Sequence, residues 1–79
     1  MKLLVLSPEK ELLSAEVDAV ELPGKKGRFE VLVNHAPLVT SLVGGEVKWK
    51  TDGDEDFQSM EISGGFAEVK ENIVTVCVE

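Results

Sequence analysis

The sequence holds one cysteine, one histidine, no tyrosine and no long apolar run, and each shortage closes off a class of protein. Cys77 cannot form an internal disulfide alone, and with His35 it falls short of the four ligands that close a structural zinc site. Stability must therefore come from packing. The longest purely apolar run, Leu3-Leu4-Val5-Leu6, is four residues where a membrane-spanning helix needs about twenty. Positive charge is scarce as well. Eight Lys and Arg against fifteen Asp and Glu leave a formal charge of -7, the wrong sign for neutralising phosphates, so DNA and RNA are poor partners. Met1-Lys2-Leu3 leads into the short apolar stretch and then into Pro8-Glu9-Lys10-Glu11, with neither the longer core of a secretion signal nor a small-residue cleavage site. The expectation is a protein made and kept in a cytoplasm.

What is present is a strand-forming vocabulary. Twelve valines, two isoleucines and nine leucines stand against four alanines, and 79 residues supply one core and one domain. Turn residues recur at Pro8, Pro23-Gly24, Gly27, Asn34 to Pro37, Gly44-Gly45, Asp52-Gly53, Gly64-Gly65 and Asn72. They cut the chain into segments of about five to ten residues, the spacing of an all-β sandwich or barrel. Between the breaks Phe29, Val31 and Val33 alternate with Arg28, Glu30 and Asn34, and Val47 and Trp49 with Glu46, Lys48 and Lys50. Each is a strand with one wet face. Ile73 to Val78 is apolar on both faces apart from Thr75, which predicts a strand in the middle of the core, covered on both sides. Ser7-Pro8-Glu9 also fits a helix cap with proline at the first helical position, so a short helix through Ala15 is an alternative. A hairpin between Leu3 to Ser7 and Leu12 to Leu22 is preferred, because the helix would be little more than two turns with only Leu12-Leu13 to hold it. The acids from Asp52 to Asp56 fit a hydrated hairpin tip.

Residues able to do chemistry are few. His35 lies in Asn34-His35-Ala36-Pro37, where a chain reversal makes a turn or surface role its ordinary use. Cys77 in the apolar last strand is expected to be buried and inert. Lys25-Lys26-Gly27-Arg28 lacks the Gly-Lys-Ser/Thr ending of a phosphate loop and leads into no helix. The acidic tip lacks the glycine and bidentate glutamate of a calcium loop. Trp49, Phe29 and Phe66 fit inward or turn positions. No catalytic, cofactor or metal site is expected, which leaves a module that acts by binding another protein.

In order and spacing, the segments resemble the N-terminal β-sandwich domain of the epsilon subunit of bacterial F-type ATP synthases. The similarity runs through Ser7-Pro8-Glu9-Lys10, Val17-Asp18-Ala19-Val20-Glu21-Leu22-Pro23-Gly24 and Gly27-Arg28-Phe29-Glu30-Val31-Leu32. Its most specific block is Asn34-His35-Ala36-Pro37-Leu38-Val39-Thr40, beside the family's Gly-His-Ala-Pro-Leu-Leu-Thr. Leu42, Gly45-Glu46-Val47, Ile62-Ser63-Gly64-Gly65-Phe66-Ala67-Glu68-Val69 and Asn72-Ile73-Val74-Thr75-Val76 complete it. The resemblance implies a flattened ten-stranded β-sandwich, monomeric in isolation, in the central stalk on the cytoplasmic face of the bacterial inner membrane. It would reach the membrane only through its partners, gamma and the c ring, and couple ion-driven rotation to ATP synthesis with no chemistry or cofactor of its own. The resemblance further implies a gamma-facing surface that includes Ser7 and Thr40, and a c-ring loop that includes Arg28, Phe29 and His35. Arg28 stands where the family often has an acidic or small residue, and Val33-Asn34 where it has Pro-Gly. Because the sequence ends at Glu79, the helical hairpin that inhibits hydrolysis or binds ATP in some members is expected to be absent. A free-standing β module that binds a ligand or adaptor partner is the alternative, and exposed aromatics would favour it.

Overall fold

The computed structural model describes residues 1–51 and 53–79. Among the described residues the secondary structure is entirely strand and turn: β1 Lys2–Leu6, β2 Glu11–Gly24, β3 Gly27–Leu32, β4 Leu38–Leu42, β5 Gly45–Thr51, β6 Gln58–Ile62, β7 Gly65–Lys70 and β8 Ile73–Val78. Asp52, part of the predicted acidic tip, lies outside the described residues, while Gly53, Asp54, Glu55 and Asp56 beside it are exposed.

The hairpin reading of the first segment holds and the helix does not form. Ser7 N donates to Lys10 O at 2.9 Å, and Ser7 Oγ accepts from Lys10 N at 3.2 Å, so the serine closes a tight turn rather than capping a helix. The hairpin lets Leu3 and Val5 become fully buried, which the two-turn helix had no means of doing. β1 then pairs antiparallel with the first half of β2, from Lys2↔Glu16 to Leu6↔Glu11, and parallel with β8, from Lys2↔Ile73 to Leu6↔Cys77.

Eight strands, rather than ten, make the sandwich among the described residues, and β2 is the reason. It runs unbroken for 14 residues and serves both layers. Its first half borders β1; past an irregularity between Val17 and Ala19 its second half pairs with β3 and β5. A bulge bends and twists a strand, which is what a strand that crosses between layers needs. One layer is β1-β8-β7-β4 and the other β3-β2-β5-β6, with a single pair, Gly24↔Leu42, closing β4 onto β2.

The inward faces enclose one apolar core. Leu3 and Val5 of β1, Val74 and Val76 of β8, Ala67 and Val69 of β7, Val20 and Leu22 of β2, Val31 of β3 and Val47 and Trp49 of β5 are all buried. Trp49 is therefore core, as the alternation predicted, and Phe29 packs half-buried against the same cluster. Gly24 makes room for it: a Cβ there would fall 2.9 Å from the Phe29 ring. Gly65 has a similar role at the start of β7, where its φ of 145° and the lack of a side chain let the strand pass close against the Cys77 carbonyl.

β7 and β8 are joined by a two-residue turn, with Lys70↔Ile73 as the last pair and Glu71 and Asn72 at φ 51° and 63°. Both angles lie in the left-handed region that a type I′ hairpin requires, which suits asparagine and strains glutamate. Glu71→Asn is therefore expected to raise stability by up to about 1 kcal/mol. A thermal melt unchanged or lowered by the substitution would show that the glutamate carries no strain.

Candidate functional site

Period two decides which side chains of the β1-β8-β7-β4 layer face away from the core, and the register lines them up in rows. Leu6, Cys77, Phe66 and Ser41 are successive cross-strand partners on β1, β8, β7 and β4. The next row is Leu4, Thr75, Glu68 and Val39, and the one beyond it is Lys2, Ile73 and Lys70. This face carries large apolar side chains in water. Val39 is 71% exposed, Phe66 50% and Ile73 37%, with Leu4, Leu6 and Cys77 half-buried among them. Apolar side chains interspersed with Thr75 and Glu68 and bordered at one end by Lys2 and Lys70 have the composition of a protein-binding face.

The first row ends in an open groove of about 600 Å³ whose lining includes Ser7, Pro8, Ser41, Phe66, Cys77 and Glu79. Its surface is largely apolar, with hydroxyls from Ser7 and Ser41 and the carboxylate of Glu79. Such a groove accepts an apolar side chain and offers hydrogen bonds at its edge. Among the described residues, no three His, Cys, Asp or Glu come together to hold a metal ion.

Three expectations change here. Phe66 faces outward rather than inward. β8 is not covered on both faces: Val74 and Val76 are buried, but Ile73 is exposed and Thr75, Cys77 and Val78 are partly so. Cys77 is accordingly half-buried in the groove instead of sealed in the core. The physical cause is common to all three, since nothing among the described residues packs over the outer face of this layer.

The residues predicted as contacts fall in separate places. Ser7 lines the groove, but Thr40 shares a face of β4 with Leu38 and Leu42, toward the core; its neighbour Ser41 is the β4 residue beside Ser7. Thr40 is half-buried, near a β4 edge whose one pair with β2 is at Leu42. Arg28, Phe29 and His35 do not form one loop. Arg28 sits at the β2–β3 turn, with Nε 3.7 Å from the Glu21 carboxylate on the outer face. Phe29 points to the opposite side, onto the core. His35 lies past the other end of β3, where its backbone N donates to Leu32 O at 3.1 Å and its Nδ1 is 2.7 Å from Ala36 O. Between Arg28 and Leu32 runs about 13 Å of strand, at about 3.3 Å per residue. Among the described residues β3 pairs only with β2, and its other edge joins the two ends.

Val39, Ser41 and Phe66 were not among the contacts expected from the sequence, and Phe66 was read as inward, although the signal was there. In Gly65 to Lys70, Phe66 keeps step with Glu68 and Lys70, while Ala67 keeps step with Val69. The polar company of Phe66 marks the outer side.

Comparison with known proteins follows the same outline. Residues 1–79 match the family model for the ATP synthase delta/epsilon chain β-sandwich domain. The "ATP synthase epsilon chain" of a Nostoc species is 42% identical over 74 residues, covering 94% of this chain and 54% of that protein. The epsilon chain of Desulfosudis oleivorans is 42% identical over 79 residues, covering 100% of this chain and 59% of that one. The chain thus spans little more than half the length of these curated relatives. Among solved structures, a chain of the Euglena gracilis mitochondrial ATP synthase, OSCP/F1/c-ring in rotational state 1, superimposes with a TM-score of 0.87 at 27% identity, covering 96% of this chain and 48% of that chain. A chain of the Tetrahymena thermophila mitochondrial ATP synthase, central stalk/c-ring, shares the fold, with a TM-score of 0.82 at 16% identity over 99% of this chain and 62% of that one.

Proposed function

Because the chain belongs to the β-sandwich family of ATP synthase delta/epsilon chains, we propose that it is a non-catalytic rotor module of an F-type ATP synthase, held by gamma and seated on the c ring at the cytoplasmic face of the membrane. The observation that carries this reading is the uncovered apolar face of the β1-β8-β7-β4 layer with its groove. Exposed Val39, Phe66 and Ile73 are costly to leave in water and suit a permanent partner. Gamma is assigned to this face, with Ser7 and Ser41 at the groove and Thr40 at the adjoining strand edge. The c ring is assigned to the opposite layer along the free edge of β3, where Arg28 and His35 stand at the two ends and Phe29 braces the strand from the core side. A rigid β body with two adhesive surfaces transmits torque without changing shape, and the single shared core supplies that rigidity.

Isolation of the intact synthase from the source cells through a tag on this protein tests the reading: gamma and c subunits are expected in stoichiometric yield, and recovery of the protein without them would contradict it. A charge reversal checks the ring side. The Arg28–Glu21 pair is solvent-accessible, with Arg28 exposed and Glu21 half-buried, so its loss costs folding less than about 1 kcal/mol. Arg28→Glu should therefore melt as the parent does while proton- or sodium-driven ATP synthesis falls, and unchanged synthesis rates would remove Arg28 from the contact.

A further inference from the structure

One long-range side-chain bond does not belong to the core or to either layer's ladder. Asn72, in the β7–β8 turn, accepts the backbone N–H of Asn34 on its Oδ1 at 2.9 Å, across 38 residues of sequence. The donor is a backbone amide, which fixes the orientation of the Asn72 side chain with its oxygen toward the loop. The same residue accepts Lys2 N on its backbone carbonyl at 3.1 Å, which anchors the turn to β1. The loop it holds needs holding. Asn34 sits at φ 64°, in the left-handed region that asparagine tolerates, and Leu32 and Val33 just before it are 52% and 48% exposed. A surface loop with no partner gains nothing from presenting two large apolar side chains in one fixed posture.

We infer that Asn72 is a positioning residue: its side-chain carbonyl clamps the loop of Val33 to Pro37, which follows Leu32 at the end of β3, so that His35 and the apolar pair before it meet a partner in a single arrangement. This rests on the rotor reading, in which that loop faces the c ring, and adds to it a residue that touches no partner itself. The clamp lowers the conformational entropy lost on binding, because the loop is ordered before the partner arrives.

Two substitutions separate the clamp from the turn. Glycine tolerates φ 63° freely, so Asn72→Gly keeps the hairpin and removes the acceptor. Asn72→Asp keeps an acceptor oxygen and a residue that tolerates the left-handed region. In the 79-residue protein, Asn72→Gly is expected to melt close to the parent, to exchange the Asn34 amide hydrogen faster, and to bind a gamma–c-ring subassembly roughly three- to ten-fold more weakly, as loss of one hydrogen bond implies. Asn72→Asp is expected to restore both slow exchange and affinity. Unchanged Asn34 exchange in Asn72→Gly would overturn the clamp. Faster exchange with undiminished binding would overturn the positioning role, as would equal loss in both variants. A glycine variant that fails to fold would make Asn72 a stability residue and overturn the inference too. If the parent itself does not bind the subassembly, the rotor reading falls and this inference with it; that outcome is distinct from the others because it appears before any substitution is made.

Discussion

Val76→Asp is expected to abolish folding. Val76 is fully buried on β8 between Val5 of β1 and Ala67 of β7, its register partners on either side, and both of those are fully buried as well. A carboxylate placed there meets no donor and no cation, and an unpaired charge or a forced proton in an apolar interior costs several kcal/mol. The whole domain, at 79 residues, has about 4 to 12 kcal/mol of stability to lose. Far-ultraviolet circular dichroism should show an unfolded chain at room temperature. A cooperative melt within a few degrees of the parent would place Val76 outside the core.

Phe66→Glu is expected to do the reverse, sparing the fold and removing the partner. The ring is half-exposed at the centre of the row Leu6, Cys77, Phe66 and Ser41, so little core is lost when it goes. An aromatic in the middle of an apolar interface commonly carries 2 kcal/mol or more of binding, about thirty-fold in affinity, and a carboxylate adds the cost of its own desolvation. Titration calorimetry against isolated gamma, beside a thermal melt, checks both halves. Unchanged affinity would mean that gamma does not use this face, and a collapsed melt would mean that Phe66 is structural.

The contrast between these two positions shows what the sequence made legible. Strand character was visible throughout, because valine-rich segments broken by glycine and asparagine have few other solutions, and the hairpin at Ser7 followed from the poverty of the helix that competed with it. Trp49 and Phe29 were placed on the core side by alternation alone. The outer face was harder. Ile73 to Val78 reads as doubly buried because hydrophobicity reports a preference for leaving water, whether the cover comes from this chain or another. Among the described residues of this strand Val74 and Val76 alone are fully buried, while Ile73 and Cys77 lie on the outer face. Phe66 was misjudged for the same reason, although Glu68 and Lys70 in step with it carried the correction. Arg28, Phe29 and His35, which the resemblance implied in one loop, are close in sequence, yet a strand puts Arg28 and Phe29 on opposite sides and His35 past its far end. The Asn72 clamp joins positions 38 residues apart and had no local signal at all.

Methyl NMR of the labelled protein, recorded before and after addition of a gamma–c-ring subassembly stripped of its own epsilon chain, tests the two-faced rotor reading most directly. Val39, Leu4, Leu6 and Ile73 on the outer face, and Leu32 and Val33 beside the clamped turn, are expected to shift or broaden together, while Val47 and Met60, paired across β5 and β6 on the core side, stay in place. No perturbation at saturating subassembly, or one confined to Val47 and Met60, would contradict it.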